Sequence, residues 1–326
     1  MLFLTKGTRM NRQEQSDRFT IVDAPTEQEL TLIEAGLNEH NLARTGGAFH
    51  FPGNEEPGLA FDLAVKGPDG TIVGGINVSS ILGVMWLEVL WVAEEHRRRG
   101  LAGWLVLEAE RIAREKGCVG AATWTFDWQG ADFYPRIGFE LRGVYDGYPF
   151  GMTEHVLAKR LPSLPRVRET VERHVTENRR QGYALVAEPT KDEMKVVHLG
   201  LRAHCVAHVG DGETYAGSPV RLALRDENGD LAGGLTATTP VHVLALEQLW
   251  VAEPYRGLGH GRRLIEEAER IARSEGCVAA QGCCLRFQAP GFFRRVGYES
   301  FGTVDVYVDG YVEELLIKRF EPEADT

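Results

Sequence analysis

The residues best suited to chemistry occur twice. Near the middle of each half, an apolar segment ends in an arginine and a turn of small residues. The turns read Arg97-Arg98-Arg99-Gly100-Leu101-Ala102 and Arg256-Gly257-Leu258-Gly259-His260-Gly261. Each lies between a predicted strand, 87–92 in the first half, and a predicted helix. The first main-chain N–H groups of a helix have no internal partner, and the peptide dipoles favour an anion there. Glycine or alanine lets the backbone approach a pyrophosphate closely, and the leading arginine adds charge-assisted hydrogen bonds. No Gly-Lys-Ser/Thr follows, so this is not a Walker loop, and the spacing differs from a dinucleotide fingerprint. One short glycine pattern is weak; two at matching places with matching flanks are informative.

Upstream of each turn stands a glutamate, Glu88 or Glu247, inside an otherwise apolar strand. A carboxylate there is costly without a purpose. Strand alternation would aim it away from the core face used by its neighbours, where it could serve as a general base. The plainer alternative is a solvated or ion-paired strand glutamate.

These residues are positioned by a duplicated unit. VMWLEVLWVAEEHRRRGLAGWLVLEAERIAREKGCV from Val84 and VLALEQLWVAEPYRGLGHGRRLIEEAERIARSEGCV from Val243 are versions of one segment. Arg97 and Arg256, Gly100 and Gly259, Gly117 and Gly276, and Gly138 and Gly297 share one separation of about 160 residues, domain-sized rather than a solenoid period. Upstream the match drifts slightly, as a short loop deletion would cause: Pro25-Thr26 matches Pro189-Thr190, and Gly74-Gly75 matches Gly233-Gly234. The division expected is a polar leader (1–18), a first domain (19–161), a helical connector (162–182), a second domain (183–320) and a tail (321–326). Val167, Val171 and Val175 give the connector one narrow apolar stripe.

Within the first copy, a strand at 19–23 precedes a helix to about His40, opened by a capping box of Thr26 and Glu29. Thr190 and Glu193 do the same for a helix reaching His204. A hairpin follows (59–65 and 72–79, joined by GPDG), then the apolar strand 86–93 and a long helix (101–116) stopped by Gly117. A strand at 119–125, a short helix at 129–137 and a strand pair ending near Leu161 complete the unit. This order predicts an α/β fold, a mixed sheet with flanking helices, built twice.

Composition narrows the partners. A formal charge of −11 gives no basic footprint for nucleic acid and suits a cationic acceptor such as an amine. No apolar run reaches bilayer length, and MLFLTKGTRMNRQEQSDR lacks the long apolar stretch and cleavage site of a secretory signal. The five cysteines show no Cys-x-x-Cys spacing, so no metal site is expected, and a reducing cytoplasmic setting is.

The segment LWVAEEHRRRGLAGWLVLEAERIAREKGC resembles the acetyl-CoA-binding segment of GCN5-related (GNAT) N-acyltransferases, whose hallmark is Arg/Gln-x-x-Gly-x-Gly/Ala. FYPRIGF and FFRRVGY resemble that family's second signature. The resemblance spans nearly the whole chain, twice. It implies two tandem GNAT domains, a splayed strand pair admitting the pantetheine arm, and acetyl transfer from acetyl-CoA to an amine. It assigns main-chain contacts with the arm to Leu90 and Val92 and to Leu249 and Val251. Gln129 falls at a position near the arm, and Tyr134 matches a tyrosine that protonates the departing thiolate. The second copy has Phe293 there. The resulting expectation is a small-molecule N-acetyltransferase with Glu88 and Tyr134 as base and acid, the first domain catalytic, and a monomeric pseudo-dimer or a homodimer. Protein or peptide acetylation, and an acyl-CoA sensor with little turnover, are the alternatives. His40 and His204 recur near the acceptor region and stay outside the catalytic pair.

Overall fold

The computed structural model describes residues 18–46 and 59–321. The expected leader, apart from Arg18, and the tail beyond Glu321 lie outside the described residues. The first copy contributes β1 (Thr20–Val22), α1 (Glu27–Arg44), β2 (Phe61–Lys66), β3 (Ile72–Ile81), β4 (Val84–Val92), α2 (Leu101–Glu115), β5 (Gly120–Phe126), α3 (Phe133–Arg136), β6 (Glu140–Tyr145) and β7 (Glu154–Arg160). The connector is α4 (Pro165–Arg180). The second copy supplies β8 (Ala184–Val186), α5 (Lys191–Val209), α6 (Gly212–Ala216), β9 (Pro219–Arg225), β10 (Leu231–Thr238), β11 (Val243–Val251), α7 (His260–Ser274), β12 (Ala279–Leu285), α8 (Pro290–Arg295), β13 (Glu299–Val304) and β14 (Glu313–Arg319).

One expected element is divided. Gly130, at φ +86°, breaks the helix predicted over 129–137, so Gln129 ends a short 3-10 turn and α3 begins only at Phe133.

The described strands form a single sheet in the order β1-β9-β10-β11-β12-β14-β13-β6-β7-β5-β4-β3-β2-β8. The two halves meet where Gly302 of β13 faces Gly143 of β6. A Cβ added at Gly302 would lie 2.8 Å from Gly143 Cα, so the absent side chain is what lets the strands approach.

The outermost strands and first helices have changed places. Strand β1 of the first copy pairs antiparallel with β9 of the second, and β8 of the second pairs with β2 of the first. Helix α1 lies on β10 and β11, and α5 lies on β3 and β4. The same residues make the fit on both sides. A Cβ at Gly36 would lie 2.6 Å from Trp250 Nε1, and one at Gly200 would lie 2.9 Å from Trp91 Cδ2. Ile33 Cγ1 fills the space over Gly234 at 2.7 Å from where its Cβ would be, and Val197 Cγ2 does so over Gly75 at 2.6 Å. Glu29 pairs with Arg225 at 2.7 Å and Glu193 with Lys66 at 2.7 Å. Both glutamates also complete their capping boxes, so one carboxylate starts the helix and ties it to the other copy. This is a domain swap contained within one chain, and it crosses the boundaries expected from the repeat.

Each half keeps its own core. Leu63, Ile76, Met85, Leu105 and Leu157 form the first, with the connector's Val167 and Val175 packed against it and Val171 seated over Gly103 of α2. Leu222, Leu235, Leu264, Ile265 and Leu316 form the second.

Candidate active site

Each half contains a cleft, created where two parallel strands part. Strand β4 runs to Val92 but pairs with β5 only over Val84–Trp86; β11 runs to Val251 but pairs with β12 only over Val243–Ala245. Beyond those points the strands diverge. The first cavity measures about 400 Å³ and the second about 590 Å³.

Glu88 and Glu247 sit at a local irregularity rather than in regular alternation. Asn77 faces Val89 and Val78 faces Leu87, so Glu88 is the extra residue of a β-bulge. Glu247 is the extra residue between Leu246 and Gln248 in the same way. A bulge re-aims a side chain, which explains how a carboxylate leaves an apolar strand without entering the core. Glu88 is exposed, lines the first cavity and accepts a hydrogen bond from Ser79 Oγ at 2.5 Å. Thr238 Oγ1 donates to Glu247 Oε1 at 3.2 Å.

The glycine turns adopt the conformation their composition suggests. Gly100 (φ +82°) and Gly259 (φ +94°) occupy the N-cap positions of α2 and α7, with no side chain capping either helix and no acid in either first turn. Helices α1 and α5, by contrast, carry capping boxes and acidic first turns. The uncapped N–H groups fit an anionic ligand at these two helix starts. In the first copy Arg98 takes a left-handed φ of +62°, where the second has Gly257 at +77°.

The leading arginines brace the turn. Arg97 Nε donates to the Val92 carbonyl at 3.0 Å and Arg256 Nε to that of Val251 at 2.8 Å. Leu90, Arg98, Leu101 and Ala102 line the first cavity, and Leu249, Gly257 and Gly261 the second. Arg99 and Leu258 line neither. The Arg99 carbonyl accepts from Asn178 of the connector at 2.8 Å. His174 of the connector also covers Gly100, where a Cβ would lie 2.6 Å from its own, whereas Gly259 has nothing within 4 Å. His260 opens α7. Its ring is buried against Phe19 (centroids 4.2 Å apart) and burial lowers its pKa, so it offers the cleft main chain rather than an imidazole.

Gln129 lines the first cavity, but both ends of its amide are engaged. Oε1 accepts from Phe126 N at 3.0 Å, and Nε2 lies 3.3 Å from Cys205 Sγ. Gln288 repeats this with Leu285 N and with Asn41 Oδ1 at 2.9 Å. Cys205 and Asn41 lie on the exchanged helices, so these glutamines pin each helix over the opposite cleft.

Tyr134 lines the first cavity and is only 7% exposed. Burial pushes its phenol up to about 12, opposed by a hydrogen bond with Thr123. Thr123 Oγ1 in turn lies 3.1 Å from the Leu87 carbonyl. The second copy has lost both hydroxyls, with Gly282 and Phe293 at these positions. Thr123 escaped the sequence analysis, although its replacement by glycine together with the loss of the tyrosine was a usable signal.

The exchange also reassigns the histidines. His204 of α5 lines the first cavity beside Trp128, and His40 of α1 lines the second, 3.3 Å from Arg256 Nη1. Burial lowers the pKa of both, reinforced for His204 by Arg97 and His208 and for His40 by Arg256 and Arg44. Trp128 is itself stacked on His208 (4.5 Å, 11°), giving the first cleft an aromatic wall. Among the described residues no His, Cys, Asp and Glu gather as a metal site, and no helix is long and apolar enough to cross a membrane.

Comparison with known proteins agrees with this architecture. The acetyltransferase (GNAT) family matches residues 37–139 and again 201–298. Blasticidin-S acetyltransferase of Streptomyces morookaense is 44% identical over 94 residues, covering 28% of this chain and 69% of that protein. Acetyltransferase Atu2258 of Agrobacterium fabrum is 28% identical over 142 residues, 44% of this chain and 98% of that one. A solved acetyltransferase from Bacillus cereus superposes with a TM-score of 0.39 at 28% identity, covering 41% of this chain and 96% of its own. Matched twice, over more than half its length, and carrying the glycine turn at an uncapped helix start in each half, the chain belongs to the GNAT family of acetyltransferases.

Proposed function

We propose that the chain transfers the acetyl group of acetyl-CoA to a primary amine of a small molecule, with turnover in the first cleft. The observation that carries this reading is the pairing of Tyr134 with Thr123 in the cavity that Glu88 also lines, where the second cleft has Phe293 and Gly282. The main chain at Gly100–Ala102 would hold the diphosphate, and Leu90 and Val92 would flank the arm. Glu88 accepts the ammonium proton, through water where the two are not in contact. The freed nitrogen attacks the thioester carbonyl carbon, the C–S bond breaks, the sulfur departs with the electron pair, and the second proton shed by the nitrogen goes to that sulfur. The raised pKa keeps Tyr134 protonated throughout the working range, so it meets that sulfur as a hydrogen-bond donor. A small-molecule acceptor is supported by the aromatic wall of Trp128 and by the named substrate of the Streptomyces relative.

The test is thiol release over a panel of amines. Tyr134→Phe should lower kcat by about 10²-fold with KM for acetyl-CoA little changed. Unchanged turnover in that variant from pH 6 to 10 would remove Tyr134 and the first-cleft assignment together.

A further inference from the structure

The two cavities differ in depth as well as chemistry. The larger one is walled by Val296, Tyr298 and Leu316. Their counterparts in the first copy, Ile137, Phe139 and Leu157, are equally buried but do not line the smaller cavity. The cause lies at the point where the strands part. Gly282 is the first residue of β12 beyond its pairing with β11, and its cross-strand partner on β14 is Leu316. Residues opposite one another on adjacent strands project to the same face. At the equivalent place Thr123 stands over Leu157. Gly282 carries no side chain, so Leu246 packs 3.2 Å from where its Cβ would be and the cavity floor is lined by Leu246, Leu316 and Val296, the last a valine in place of isoleucine. Cys283 in place of Trp124 widens the approach.

We propose that the second cleft is an acyl-chain pocket, built for an acyl-CoA whose chain is longer and more apolar than acetyl. This rests on the reading that the second glycine turn holds the CoA diphosphate. That turn lies at the wide end of the divergence and Gly282 at its apex. A pantetheine arm entering from the turn delivers its acyl group to the apex, where Phe293, Val296 and Leu316 surround it. The substitutions that remove two hydroxyls of the first cleft leave this floor apolar around Phe293 and Leu316, and the hydroxyl that Tyr298 adds in place of Phe139 is engaged by Glu269. Each buried methylene gives roughly a fourfold gain in affinity at about 0.8 kcal/mol.

The experiment is calorimetric titration of the full chain with CoA, acetyl-CoA and hexanoyl-CoA. Two CoA sites are expected, with hexanoyl-CoA at least tenfold tighter than acetyl-CoA at one of them. Gly282→Thr, which restores the residue of the first copy, should abolish that preference and leave CoA itself unaffected. Val296→Ile, a milder change, should reduce it several-fold. Two CoA sites with no chain-length preference, or a preference surviving both substitutions, would overturn the pocket while leaving CoA binding intact. A single CoA site, lost on altering the first turn, would overturn the underlying reading with it.

Discussion

Replacing Ile33 with alanine tests the exchange of helices directly. Ile33 is fully buried and seats over Gly234 of β10, in the opposite copy. The substitution removes three carbons from a closed site. At about 0.8 kcal/mol per buried carbon, plus a cavity term that glycine cannot fill, the expected cost is about 3 kcal/mol. For a chain of this size that lowers Tm by roughly 4 °C. The informative assay is amide hydrogen exchange. Protection should fall in α1 and in β10 and β11 around Gly234 and Trp250, with β3 and β4 unchanged. Val197→Ala should give the mirror pattern, with losses around Gly75 and Trp91. If Ile33→Ala instead deprotected β3 near Gly75, α1 would be covering its own copy and the swap would be refuted.

Three further outcomes follow from the same contacts. Arg98→Gly relieves a left-handed arginine and should raise stability by about 0.5–1 kcal/mol after the added freedom of the unfolded chain is counted, as read by urea denaturation. Glu154 is buried, accepts from Tyr148 Oη at 2.9 Å, and is raised by burial to about 7. The stability that comes from keeping it neutral is therefore fully present below about 4.5 and is lost as pH rises through 7. Glu154→Gln should be about 3 kcal/mol more stable than the parent at pH 8 and equal to it at pH 4, and a pH-independent difference would count against this account. Glu29 is held at about 2, chiefly by its hydrogen bond with Arg225. Arg225→Ala should accordingly be less stable than the parent at pH 7 and converge with it as pH falls from 4.5 toward 2, in acid unfolding followed by circular dichroism.

The glycine turns, their helices and the strands before them were legible because their signals are local: a helix start, a stop glycine, an apolar run. The exchange was not, and the reason is specific. Gly36 and Gly200 are equivalent, as are Trp91 and Trp250, and basic partners for Glu29 and Glu193 stand at both Lys66 and Arg225. A duplicated sequence offers each helix two docking faces of the same chemistry, so residue pairing alone cannot say which is used. The bulge at Glu88 was hidden for a related reason. It depends on the register against β3, which no feature of β4 alone encodes. The sequence did point Glu88 away from the core face, but by alternation, and the bulge does the work instead. The loss of Tyr134 in the second copy was plain to read; the paired loss of Thr123 became meaningful only once the two hydroxyls were neighbours.

Because β1 closes the far sheet edge and β8 the near one, the connector is not what joins the halves. A cut within it would leave two interlocked fragments, each lending the other a border strand and one side of its cleft. Loss of either fragment would strip a wall from the cleft that remained, so the duplication is hard to undo by simple deletion.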